Sequence, residues 1–255
     1  MPTPFYHLSL AQELVEEPGL PQSVLNFLIG NQAEFLFGNI APDVQVVSGQ
    51  ARAETHFFEL PVQKNLSDPW ESLWKTHPQL RLPSIPDSSQ RAFMLGYLCH
   101  LYADWQWIKQ IFSPVFGLDS AWGTFQERLI WHNVLRAELD EKILPTINPH
   151  TAEFLAKVIP NHWLPFVQDG DLVQWRDQIA RQLQPDKKIE TIAVLAARQN
   201  IPIEEFESYL TSEEKKREMI FNHVNQTELD SFRSQLIIAS RSFIQVILLH
   251  PKNID

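Results

Sequence analysis

The chain has 255 residues, 44% hydrophobic and 20% charged, with a formal net charge of -10, which allows one large domain or two small ones and argues against the counterion release that general nucleic-acid binding needs. Only 8 glycines, among many Leu, Ala, Gln and Glu, lean away from doubly wound nucleotide-binding folds and β-sandwiches and predict an all-α protein. The single cysteine, Cys99, excludes internal disulfides and multi-cysteine zinc modules.

Residues 4–17 read as an amphipathic helix with Leu8, Ala11, Leu14 and Val15 on one stripe, His7 near its start, and Pro18, Gly19 and Pro21 closing it. The opening MPTPFYHLSLAQ lacks a basic stretch leading into an apolar run and a small-residue cleavage site. No window approaches eighteen uninterrupted apolar residues, so the expectation is a cytoplasmic chain without a transmembrane segment. A second helix or pair of turns covers 22–37, and Pro42 biases Ala41 away from the helical region, which puts Asp43 on a turn just past a buried segment. Residues 44–87 carry Thr55-His56-Phe57 and then Pro61, Pro69, Pro78, Pro83 and Pro86, interleaved with Trp70, Trp74 and His77. Such a long aromatic loop is either a binding lip or a structural wrap.

The stretch Arg91 to Phe112 is apolar enough for a buried helix, with Phe93, Met94, Tyr97, Leu98, Leu101, Tyr102 and Trp105 at steps of three and four. His100 and Asp104 interrupt it, four apart and so on one face. A carboxylate buried among aromatic residues needs a cation or a hydrogen-bonding partner. The pair therefore reads either as metal ligands or as an ordinary satisfied core pair. Beyond a connection at 112–119, residues 121–144 read as a long helix ended by Pro145, with His132, Arg136 and Asp140 on one face. That stripe is either a ligand face or a surface charge ladder. Helical patterns at about 151–159, 171–184, 187–199, 203–221 and 228–249 complete the chain, with His150, His162, His223 and His250 scattered at no ligand spacing. The division expected is a metal-binding helical domain over 1–148 and a helical extension over 149–255, packed on the first or forming a small subdomain.

In chain order, the polar residues set in apolar surroundings before position 110 are His7, Asp43, His56, His100 and Asp104, the ligand types that zinc takes. The pieces FYHLSLA, FLFGNIAPD, THFFE and AFMLGYLCHLYAD, in this order, resemble the zinc-dependent phospholipase C family over roughly the first 110 residues. That family is related to the single-strand-specific zinc nucleases. The resemblance implies an all-α bundle and a metal-dependent, phospholipase C-like phosphodiester hydrolase acting through a metal-activated water. It places Asp43, His56, His100 and Asp104 around a first Zn2+, with Asp104 bridging to a second ion that His7 also holds; Asp43 either is a ligand there or serves mainly as the base, and Asp43 and Asp104 are the expected catalytic carboxylates. Other divalent metals are possible. Two departures reduce the implied site from three ions to one or two: the chain begins Met-Pro-Thr where secreted members present a processed N-terminal tryptophan, and no His-x3-Glu pair occurs. His132 is the nearest substitute for the missing ligands. The expected substrate is a small phosphodiester or a phospholipid; the oligomeric state is left open. The alternative is a non-catalytic helical protein that keeps a degenerate family site. Helical phosphohydrolases built on a His-Asp dipeptide are disfavoured, because the chain has no such dipeptide.

Overall fold

In a computed structural model, residues 1–16, 19–59, 67–185, 187 and 189–249 are described; Pro18, Pro61 and His250 lie outside them, as does the last residue of the first expected helix. Among the described residues the regular structure is helical, without strands. The N-terminal part contains α1 (Pro4–Glu16), α2 (Gln22–Gly30), α3 (Gln32–Gly38), a 3-10 turn over Ala41–Val44, α4 (Gln45–Ser48) and α5 (Arg52–His56). After α6 (Pro69–Thr76) and two 3-10 turns come α7 (Ser88–Trp107) and α8 (Phe125–Ile143). The C-terminal part holds α9 (Thr151–Lys157), α10 (Asp169–Gln182), α11 (Thr191–Gln199), α12 (Ile203–Thr211), α13 (Glu213–Lys216) and α14 (Gln226–Leu249).

The expected central helix is α7. Asp87 caps it by accepting from the Gln90 amide at 3.0 Å, and every residue from Ala92 to Leu101 is buried. Pro114 does not end it at Phe112. Instead α7 runs on as a π-helix over Ile108–Phe116 with Pro114 inside it. The following helix starts later than the periodicity suggests, at Phe125, because Thr124 and Glu127 form a capping box.

Close approach of α3 and α7 sets the geometry of the N-terminal part. A Cβ on Gly38 would lie 2.0 Å from the Phe93 carbonyl oxygen, and one on Gly96 2.2 Å from that of Phe35. Glycine at both positions lets the two backbones touch. The C-terminal helices then brace this unit: α9 and α10 pack on each other, α9 lies against α3, and the Trp175 indole N–H donates to the Ile40 carbonyl at 2.8 Å. That bond holds the chain just before the Ala41–Val44 turn.

The 44–87 segment is less irregular than its prolines suggest, since it contains α4, α5 and α6. Its tryptophans are core residues. Trp70 packs on Tyr102 and Phe243, and Trp74 is buried as well. α14 covers α7 through the stacked Tyr102 and Phe243 rings, 4.5 Å apart. By length and composition α14 is apolar enough to cross a membrane, with a mean hydropathy of 1.3 over its most apolar window. It buries Phe232, Leu236 and Ile244 against the bundle, with 33% of that window buried.

The stripe on α8 points inward. Asp140 is fully buried and accepts from the hydroxyls of Thr3 and Thr191, joining the N-terminal segment, α8 and α11. Burial pushes its carboxyl up to about 6, with the two hydroxyls pulling the other way.

Two outcomes follow from this packing. Gly96→Ala should cost about 1–3 kcal/mol of unfolding free energy in urea, since the new methyl meets backbone that cannot move aside, whereas Gly30→Ala, with nothing within 4 Å, should not. Because Asp140 holds its proton more tightly folded than unfolded, the stabilisation linked to that proton is present below about pH 4 and is lost as the pH rises through about 6. Relative to Asp140→Asn, the native chain should therefore lose about 3 kcal/mol over that window, measured by urea titrations at pH 4, 5, 6 and 7.

Candidate metal centre

Four segments supply the polar side chains that converge beside α7. α1 contributes His7, the 3-10 turn contributes Asp43, α5 contributes Arg52 and His56, and α7 contributes His100 and Asp104. His7, His56, His100 and Asp104 are at most 1% exposed, while Asp43, at 9%, stands at the edge. The five residues expected from the sequence thus meet in one place.

Each histidine ring is held by one nitrogen and presents the other. His100 Nδ1 lies 2.7 Å from the Asn39 carbonyl oxygen, an acceptor only, so that nitrogen carries the proton and Nε2 is left with its lone pair. His56 Nδ1 lies 3.0 Å from Thr55 Oγ1, whose own proton is directed to the Gln45 side chain or the Arg52 carbonyl. His56 Nδ1–H therefore donates to the hydroxyl, and its Nε2 is bare as well. The two bare nitrogens face each other at 3.2 Å. Around them, Asp43 Oδ1 is 3.6 Å from His56 Nε2, and Asp104 Oδ2 is 3.6 Å from His56 Nε2 and 3.7 Å from His100 Nε2. His7 stacks on His100 with centroids 3.8 Å apart and sets its Nε2 3.2 Å from Asp104 Oδ1; its Nδ1 is buried without a partner.

Facing lone pairs and carboxylates repel unless a cation lies among them. Tetrahedral zinc with bonds of about 2.0–2.1 Å puts neighbouring ligand atoms roughly 3.3–3.4 Å apart, close to the 3.2–3.7 Å found here. The donors fall into two overlapping groups, one of Asp43, His56 and His100 and one of His7, His100 and Asp104, so the residues present fit a metal ion. They share His100, while the two oxygens of Asp104 face opposite ways.

The electrostatics match this use. Burial, then the charge of Arg52, holds His56 well below the usual imidazole range; burial, then His7, brings His100 down to about 4. Both rings are accordingly neutral at pH 7 and ready as ligands. Burial pushes Asp104 upward, but His100, Arg52 and the His7 hydrogen bond outweigh it and keep the carboxyl well below its ordinary value.

Arg52 was not among the expected residues. Its Nη2 donates to Asp104 Oδ2 at 2.5 Å and its Nη1 lies 3.8 Å from Asp43 Oδ1, giving the site a built-in positive charge. The signal for it is slight: in ARAETH the arginine precedes His56 by four residues, one helical turn. Thr55 is a positioning residue, holding His56 by its hydroxyl while its carbonyl accepts from the Tyr97 hydroxyl.

His132 stands outside both groups. Its Nε2 accepts the Trp107 indole N–H at 3.0 Å, and its ring packs among Trp107, Phe112 and Phe116. Burial holds it well below its usual value, helped by the Met1 amino group and Arg136. Trp105 and Trp107 are buried too, so they form no open mouth beside the site.

A family model described as zinc dependent phospholipase C matches residues 6–107. This segment belongs to the zinc-dependent phospholipase C family. It contains all five converging residues and Arg52, and the all-α architecture agrees with that family's fold. No curated protein and no solved structure matches the chain.

Replacing Asp104 by asparagine should lower zinc affinity by at least about a hundredfold. It should also lower the melting temperature of the zinc-free protein, because Arg52 loses its buried partner. Element analysis and paired melts with and without zinc read both effects, and His132→Phe should leave the zinc content unchanged.

Proposed function

We propose that the chain is a zinc-dependent hydrolase of phosphodiesters, phospholipase C-like, working at the centre formed by His7, Asp43, His56, His100 and Asp104. What supports this most is the pair of bare imidazole nitrogens 3.2 Å apart between two carboxylates, an arrangement that favours a dication. Zinc held by these residues supplies Lewis acidity toward a phosphoryl oxygen and makes water acidic enough to attack near neutral pH.

The protein's own groups supply the rest. Asp43, at the solvent edge of the centre, accepts a proton from the attacking water on this reading. Asn39 and Thr55 keep His100 and His56 from turning, so the ligand nitrogens need no reorganisation. Arg52, a quarter exposed, faces the same edge with a guanidinium that suits the non-bridging oxygens of a phosphodiester.

Arg52 also favours a second reading, in which the guanidinium already neutralises Asp104 and the chain keeps a family-type centre without catalysis. Turnover of bis(p-nitrophenyl) phosphate by zinc-loaded protein separates the two. On the hydrolase reading Asp43→Asn loses about a hundredfold or more in kcat even at saturating zinc, and Arg52→Met raises KM. On the second reading there is no turnover, and Arg52→Met tightens zinc binding.

A further inference from the structure

Beside the metal centre, on the side covered by the C-terminal helices, lies a small cleft that the family segment alone does not form. Its walls come from the N-terminal segment at Thr3, the Asp43 turn, α8, α10 and α11. Asp43 lines it and also faces His56, so the cleft adjoins the metal centre at that residue. Its volume of ≈ 50 Å³ is room for about three to five waters or one tetrahedral oxyanion.

Two arginines meet there, Arg136 from α8 and Arg198 from α11, and neither forms an ion pair among the described residues. Arg136 spends one nitrogen on Asn133 Oδ1 at 3.0 Å, while its Nε is buried without a hydrogen-bond partner. The nearby carboxylates make their hydrogen bonds and short contacts with other groups, while their charge still reaches Arg136. Asp140 accepts from Thr3 and Thr191, Glu190 accepts from Gln178, and Asp43 faces His56 and Arg52. Burial, and then the charge of Arg198, bring Arg136 down to about 10, so the two guanidinium groups sense each other. Asp43 and Glu190 also line the cleft, but neither comes within ion-pair distance of Arg136 or Arg198, so both guanidinium groups keep hydrogen-bonding capacity that a bound oxyanion would use.

We infer that this cleft is an oxyanion subsite, and that the chain acts on phosphodiesters carrying a second anionic group, a carboxylate or phosphate, which Arg136 and Arg198 hold while the diester lies at the metal centre. The substrate class rests on the hydrolase reading; the subsite itself does not. Esters of cationic alcohols such as choline fit this cleft poorly, because their charge would meet two guanidinium groups.

Calorimetric titration of the zinc-depleted, full-length chain with inorganic phosphate at low ionic strength tests the subsite without any turnover. One phosphate should bind. Arg198→Met, at an exposed position, and Arg136→Lys, which keeps the charge and loses the fork, should each weaken it at least tenfold, while Arg52→Met should change it less than twofold. No phosphate binding, or binding that depends on Arg52 and not on Arg198, overturns the subsite. On zinc-loaded protein, the p-nitrophenyl phosphodiester of glycolate should exceed that of ethanol at least tenfold in kcat/KM, with that of choline lowest, and Arg198→Met should erase the order. Phosphate binding without turnover of any diester keeps the subsite and removes the hydrolase reading. Equal turnover of all three diesters removes the proposed substrate class.

Discussion

A carboxylate in the middle of an apolar helix is the constraint from which the rest of this structure follows. Taking the charge of Asp104 out of water costs several kcal/mol even after relaxation, and α7 offers it no water. The chain meets that cost with groups from three other segments: an imidazole from α1, a guanidinium and an imidazole from α5, and the orienting carbonyl of Asn39 behind His100. The Asn39 carbonyl reaches His100 because α3 lies against α7 at backbone contact, which Gly38 and Gly96 permit. The glycines and the aspartate are thus parts of one arrangement, the first helping to orient one of the neighbours that the second requires.

The C-terminal half enters the same arrangement from outside. Trp175 holds the Ile40 carbonyl, fixing the turn that carries Asp43, and Thr191 shares Asp140 with Thr3. Helices with no concentrated polar motif of their own therefore set the height and orientation of one wall of the centre. They also close the cleft in which Arg136 and Arg198 meet.

Much of this was legible because metal ligands carry a double signature: residue type and an apolar setting. His100 and Asp104 stand out in α7 for that reason, and the order of all five ligand-type residues pointed to a family. Arg52 lacked such a signature, because an arginine in a short, half-exposed helix looks like any surface charge; only its approach to Asp104 shows its role. The α8 stripe was ambiguous because spacing gives a shared face but not its direction. His132 went to an aromatic pocket, Arg136 to the cleft and Asp140 to a pair of threonines, each by tertiary packing that periodicity does not encode. The proline-rich segment could be read as a lip or a wrap because aromatic spacing does not say what covers a ring; Trp70 packs on Tyr102 and Phe243, and Trp74 is buried as well.

Charge balance links the two sets of arginines. With His56 and His100 neutral, the carboxylates of Asp43 and Asp104 and the guanidinium of Arg52 sum to one net negative charge. One dication turns that into one positive charge, which a phosphodiester monoanion neutralises. A second dication raises the excess to three positive charges and adds repulsion against Arg52, unless the arginine withdraws from Asp104 or the substrate brings further negative charge. A diester with a second anionic group supplies that charge beside Arg136 and Arg198. On the proposed hydrolase reading, the resident arginine in the centre and the arginines in the cleft are two consequences of one requirement, that positive charge gathered for a phosphate be matched by the substrate itself.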